Sequence, residues 1–140
     1  MKTKFIVAIV CFSIINSISA QVKVPAPAEN AFKKMFPSAT NIKWDKESKT
    51  EYEASFELNG KKGSANFSAT GEWLETEKGI DVSAAPKAVI NAVTTAWPKS
   101  TIKAVFEIET KDGKHYYEVE YTINGKTKEA KIATDGTLMK

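Results

Sequence analysis

The residues best suited to chemistry are four glutamates and a histidine. Glu107, Glu109, Glu118 and Glu120 occupy every second position of two alternating stretches, and period-two spacing turns such residues to one face of neighbouring strands. Carboxylates gathered in this way form acid–base pairs or hold a hard cation through oxygen. The same face is expected to carry Lys62, Lys103 and Lys131, and intermixed charge is the ordinary covering of a solvated sheet. No calcium-loop pattern accompanies the glutamates, so the solvated-face expectation is preferred. His115, the only histidine, follows Asp112 in a tight turn. Zinc or copper would need several further ligands of defined geometry, and a solvated hairpin residue is expected instead. Nucleophile elbow, phosphate-cradling glycine loop and dinucleotide fingerprint are all missing from the sequence. No catalytic residue, metal or cofactor is assigned, and the chain is not expected to be an enzyme. Asn66-Phe67-Ser68 fits a glycosylation acceptor and, on a predicted strand, is treated as coincidence.

Aromatic residues offer a different kind of chemistry. Tyr52, Phe56, Tyr117, Tyr121, Phe32 and Trp97 lie at core spacing. Tyr116 has the parity opposite to Tyr117 and is expected to project from the polar face, and of Trp73 and Leu74 only one can point inward. Exposed aromatics anchor protein partners. Glu53, Glu57, Tyr116, Glu118 and Glu120 are therefore the candidate partner-binding set.

The elements that must position these residues occur twice. Tyr52-Glu53 returns as Tyr117-Glu118, Asn59-Gly60-Lys61 as Asn124-Gly125-Lys126, Ala65 as Ala130 and Gly71 as Gly136, all at an offset of 65. Upstream, Pro25, Phe36-Pro37 and Thr40 answer Pro86, Trp97-Pro98 and Thr101 at an offset of 61, which places an insertion of about four residues near Lys111, Asp112 and Gly113. Each copy opens with a short helix. Ala28, Ala31, Phe32, Met35 and Phe36 recur at helical spacing between Pro27 and Pro37, and Val89, Ile90, Val93, Ala96 and Trp97 do so between Pro86 and Pro98. A helix of about ten residues is not stable alone, so each must pack on a sheet. Tyr52, Ala54, Phe56 and Leu58 alternate with polar residues, as do Tyr117, Val119, Tyr121 and Ile123, and Asn-Gly supplies a type I′ turn after each run. An earlier strand carries Ile42 and Trp44, or Ile102, Ala104, Phe106 and Ile108, and a last one follows Gly71 or Gly136. The expected fold is α+β: two tandem helix-plus-four-stranded antiparallel repeats over residues 21–80 and 81–140, helices on one face, joined by a short linker from Glu77 to Ser83.

Composition and the amino-terminal segment bound the compartment. Lys2 and Lys4 precede an apolar run from Phe5 to Ile15 and then Ser17, Ile18, Ser19 and Ala20, the three-part pattern of a secretory signal peptide over residues 1–20. The run is shorter than the ~20 residues that span a bilayer. Cleavage after Ala20 and a periplasmic or secreted product without a membrane segment are expected. A lipoprotein signal at Cys11 is disfavoured, because Phe5 to Val10 do not resemble a lipobox. Cleavage would remove Cys11, the single cysteine, so stability must come from packing rather than a disulfide. The net charge is +3 and every basic residue other than the histidine is Lys. With no Arg for bidentate phosphate or guanine recognition, nucleic acid is not an expected partner.

Ala31-Phe32 through Phe36-Pro37, Ile42, Trp44, Tyr52, Phe56, Phe67, Gly71-Glu72-Trp73-Leu74 and Glu75, echoed by Pro86, Val89, Trp97-Pro98, Tyr117 and Gly136, resemble the PepSY-like, beta-lactamase-inhibitor-like (BLIP-like) proteins. The resemblance implies a small bacterial periplasmic or secreted protein of tandem helix-and-sheet repeats. In that family the inhibitor name reflects a shared fold with a protein that grips an enzyme across its sheet face, and no inhibitory residue carries over by position. The expected function is a non-catalytic module that binds a protein through the open sheet face, with inhibition of a peptidase or beta-lactamase as one form of it. A small-ligand or cation carrier using the glutamate cluster is the alternative. A monomer is the working assumption.

Overall fold

The computed structural model describes residues 22–139; the expected signal peptide lies outside them. Helix α1 (Ala26–Met35) leads into strands β1 (Thr40–Lys46), β2 (Glu51–Leu58), β3 (Lys61–Ser68) and β4 (Trp73–Ile80). A single 3-10 turn (Val82–Ala84) passes to α2 (Lys87–Ala96), β5 (Thr101–Thr110), β6 (His115–Ile123) and β7 (Lys126–Ala133). The strands form one antiparallel sheet in the order β1-β2-β3-β4-β5-β6-β7.

Two four-stranded repeats side by side were expected, with the way their sheets join left open; the strands form one continuous sheet, and it has seven strands rather than eight. An eighth strand is reduced to one bridge, Ile132 to Leu138. The expected linker is also much shorter, because Glu77 to Ile80 belong to β4 and pair with β5 from Ile108 to Val105. The four-residue insertion explains how that pairing is possible: β5 has ten residues where β1 has seven, and its extra length, Ile108 to Thr110, meets Glu77 to Glu75.

Local chemistry sets the boundaries of these elements. Pro25 and Pro86 hold extended backbone at the two helix starts, and their carbonyls accept from the amides of Ala28 and Glu29, and of Val89 and Ile90. Phe36 and Trp97 close the helices by donating to the Phe32 and Val93 carbonyls, and Pro37 and Pro98 prevent continuation. The Asn59-Gly60 and Asn124-Gly125 turns have positive φ at both residues, as a type I′ turn requires. Gly71 and Gly136 share φ near +90° and a tight approach to a helix start: a Cβ would lie 2.6 Å from the Pro27 carbonyl oxygen in one case and 2.8 Å from that of Ala88 in the other.

Both helices lie on one face, over two separate hydrophobic clusters. Ala28 and Phe32 of α1 pack on Ala54, Phe56, Ala65 and Phe67. Val89 and Val93 of α2 pack on Val105, Tyr117, Val119, Tyr121, Ala130 and Ile132. Fully burying the Phe, Val and Ile side chains among them stabilises by roughly 1.5–3 kcal/mol each. Met35 and Ala96, expected on the inner helix faces, are exposed, as is Ile42 on β1. Between the clusters runs a cross-strand row of Phe56, Gly63, Lys78, Glu107 and Tyr117, so a charged strip divides the helix-covered face.

Candidate functional site: the open face of the sheet

Paired residues of an antiparallel ladder share a face, so register fixes the membership of the open side. Three rows cross its middle. The first holds Glu53, Asn66, Glu75 and Thr110; the second Ser55, Ser64, Glu77, Ile108, Tyr116 and Ala133; the third Glu57, Lys62, Gly79, Phe106, Glu118 and Lys131. No helix among the described residues covers them. Even so Ser64 is 7%, Ile108 1% and Tyr116 8% exposed. With no covering element, the central side chains of this face must shield one another. The register shifts in β1, β5 and the β3–β4 pairing are of the kind that twists strands locally.

That shielding acts on the carboxylates. Glu77 stands at the centre between Ser64 and Ile108. Burial first, then the negative charges of Glu118, Glu75 and Glu53, push its carboxyl up to about 7, against a smaller opposing pull from Lys131. Burial is also the main cause that raises Glu53, Glu118 and Glu129. For Lys131, burial works against the charged form, but Tyr116, Glu118 and Glu75 outweigh it and its ammonium is held above the usual lysine range. Lys131 Nζ lies 3.9 Å from Glu118 and 5.6 Å from the Tyr116 ring centre, and the Tyr116 hydroxyl donates to Glu75 Oε2 at 3.4 Å. The result is an acidic, partly dehydrated surface around one tyrosine.

The sequence-selected residues divide into two groups. Tyr116, Glu118 and Glu120 sit together on β6, with Glu120 opposite Glu129. Glu53 and Glu57 lie four strands away on β2, about 19 Å at the usual strand spacing. Ser64 near Glu53 favours its charged form, and Glu57 accepts from Asn41 Nδ2 at 2.9 Å. Glu75 and Glu77 bridge the groups and were not singled out. Their alternation with Thr76 and Lys78 was the available signal, obscured by placing the linker at Glu77.

Several expectations are corrected. Tyr116 is on the open face but buried, not projecting. Glu107 and Glu109 do not join Glu118 and Glu120. They pair with Tyr117 and His115 on the helix-covered face, while Glu118 pairs with Phe106 and Glu120 with Ala104. The register shift between Ile102 and Ala104 is the cause. One extra residue reverses the side-chain parity of the strand, so Ile102 packs with the α2 cluster, Lys103 falls in the bulge, and Phe106 and Ile108 turn to the open side. His115 is not simply solvated: its Nε2 is 2.9 Å from Glu107 Oε1 and its ring meets Tyr117 edge-on. Trp73, of the Trp73–Leu74 pair, points inward opposite Phe67 and donates from Nε1 to Thr76 Oγ1 at 2.7 Å. Among the described residues, no group of three or more His, Cys, Asp or Glu is placed to hold a metal ion.

Comparison with known proteins agrees with this architecture. A family model described as "Putative beta-lactamase-inhibitor-like, PepSY-like" matches residues 50–140. A crystal structure described as of "putative periplasmic proteins" from Bacteroides eggerthii is similar at 20% identity and TM-score 0.75, over 85% of this chain and 88% of that one. A DUF2874 family protein from Bacteroides uniformis gives 21% and 0.73, over 84% and 87%. A BLIP-like protein from Bacteroides fragilis gives 23% and 0.67, over 86% of each. At these identities the likeness is one of fold. No curated protein matches the chain.

Proposed function

The chain belongs to the PepSY-like, beta-lactamase-inhibitor-like family, and from that premise we propose that it is an exported, non-catalytic binding module whose open sheet face grips a protein surface rich in lysine or arginine. The observation that carries this is the concentration of half-buried carboxylates, Glu53, Glu77 and Glu118, whose charged forms are disfavoured by burial. A cationic partner would replace the water these groups have lost. Complementary charge also steers encounter and sets register. Export to the periplasm or beyond is supported by the signal-peptide pattern of residues 1–20 and by the description of the Bacteroides eggerthii neighbour. Among the described residues no helix is long and apolar enough to cross a membrane.

We also propose that the protein is a duplicated unit of residues 21–80 and 81–140 whose second copy retains only a bridge of its last strand. The matched proline caps, aromatic helix ends, Asn-Gly turns and the Gly71 and Gly136 contacts support this. The alternative of a cation carrier loses its main support, because its four glutamates lie on opposite faces.

Capture from the producing cell tests the proposed site, using wild type and a Tyr116→Ala, Glu118→Lys variant. Loss of a basic partner in the variant is expected, and identical partner lists from both would refute the site. Whether the partner is a peptidase or beta-lactamase is decided by direct inhibition assays at micromolar protein.

A further inference from the structure

A recess of about 140 Å³ opens on the helix-covered face, beside the α1 cluster and away from the open side. Phe36, Phe56 and Leu58 form its apolar wall, the backbone around Gly63 and Gly79 its floor, and Lys61 and Lys78 its rim. The rings of Phe36 and Phe56 are 4.7 Å apart, centre to centre. Gly63 faces Phe56 across the strands and leaves the floor bare, with the Phe56 ring only 3.5 Å from where a Cβ would stand. The corresponding place in the other half is filled differently. There Trp97 stacks on Tyr121 at 4.6 Å, and Lys128 stands opposite Tyr121 where Gly63 stands opposite Phe56.

We propose that this recess binds a small aromatic carboxylate. An apolar cavity of about 150 Å³ takes up a benzene ring, so the volume matches one ring. The charge suits an anion, because Lys61 and Lys78 are among the lining residues while Asp81 and Glu107, the acids paired with them, are not. Glu77 contributes only backbone here, its side chain being on the opposite face. Lys78 is tied only to Glu107 at 3.9 Å and Lys61 to Asp81, and the Lys78 side chain is largely exposed and that of Lys61 about half so. Exposed pairs of this kind are weak, so a ligand carboxylate can take over Lys78 while its ring lies against Phe36, Phe56 and Leu58. A neutral or cationic ring gains the apolar contact without the ion pair.

Amide NMR titration with phenylacetate, benzyl alcohol and benzylamine tests the proposal. Phenylacetate is expected to shift Leu58, Gly63 and Gly79 with a Kd on the order of 1 mM, in keeping with a ligand of about ten heavy atoms. Benzyl alcohol should bind several-fold more weakly and benzylamine more weakly still. Lys78→Met, which keeps the stem and removes the charge, should weaken phenylacetate by roughly two- to fivefold, the scale of one exposed ion pair, and leave benzyl alcohol unchanged. Leu58→Trp should fill the recess and abolish both responses while the remaining amide spectrum stays native. The proposal is overturned if these amides do not move at about 20 mM phenylacetate, more than ten times the expected Kd, or if benzylamine binds as well as phenylacetate. It is likewise overturned if the same amides shift with protein concentration alone, which would make a second copy the occupant.

Discussion

Glu77 carries the strongest electrostatic consequence at the level of single residues. Its carboxyl, raised to about 7 from 4.5, binds its proton more tightly in the folded than in the unfolded chain. This group therefore favours folding at low pH, and that contribution is lost as pH rises from about 4.5 through about 7. The scale is on the order of 3 kcal/mol between the limits. Glu77→Gln should remove this slope, so urea melts at pH 5 and pH 8 should differ less in the variant than in wild type, with the variant more stable at pH 8. An equal slope in both would mean that Glu77 is solvated. Glu53, Glu118 and Tyr116 were legible from parity alone, since period two assigns a face without knowledge of neighbours. The protonation of Glu77 was not, because it depends on Ser64, Ile108 and Glu118, brought around it by three other strands.

At the level of elements, hairpins and helices were the most legible features. Asn-Gly pairs and flanking prolines act locally, and their turn and cap geometries follow from a few dihedral angles. Strand parity beyond a bulge was not legible. The extra residue in β5 has no sequence mark, yet it exchanges Val105 for Phe106 as the inward side chain and separates Glu107 from Glu118. The merger of the halves likewise depends on β4 reaching β5, which the alternation of Glu75, Thr76, Glu77 and Lys78 allows but does not require. Gly71 and Gly136 test the docking of helices to the sheet. Each combines positive φ with a helix carbonyl less than 3 Å from a would-be Cβ, so Gly71→Ala and Gly136→Ala should each cost about 1–3 kcal/mol. Denaturant midpoints check this, and Gly113→Ala, a turn glycine with open space around it, should cost less than either.

For the whole molecule, one seven-stranded sheet has a helix-covered side and an open side, the latter being the proposed contact surface. Two small helices occupy the first, and their hydrophobic clusters are separated by a charged strip. The second, spanning both halves, carries buried tyrosine and carboxylates. A protein partner that uses it must cover residues from β2 to β6 at once, which neither half offers alone. Carboxyl footprinting with and without the captured partner is the most direct test, because chemical labelling of glutamates reports each face separately. Binding should protect Glu53, Glu57 and Glu120 and leave Glu29 of α1 and Glu109 of β5 as reactive as in the free protein. Protection confined to Glu29 and Glu109, with the other three unchanged, would contradict the assignment of the open face as the binding surface.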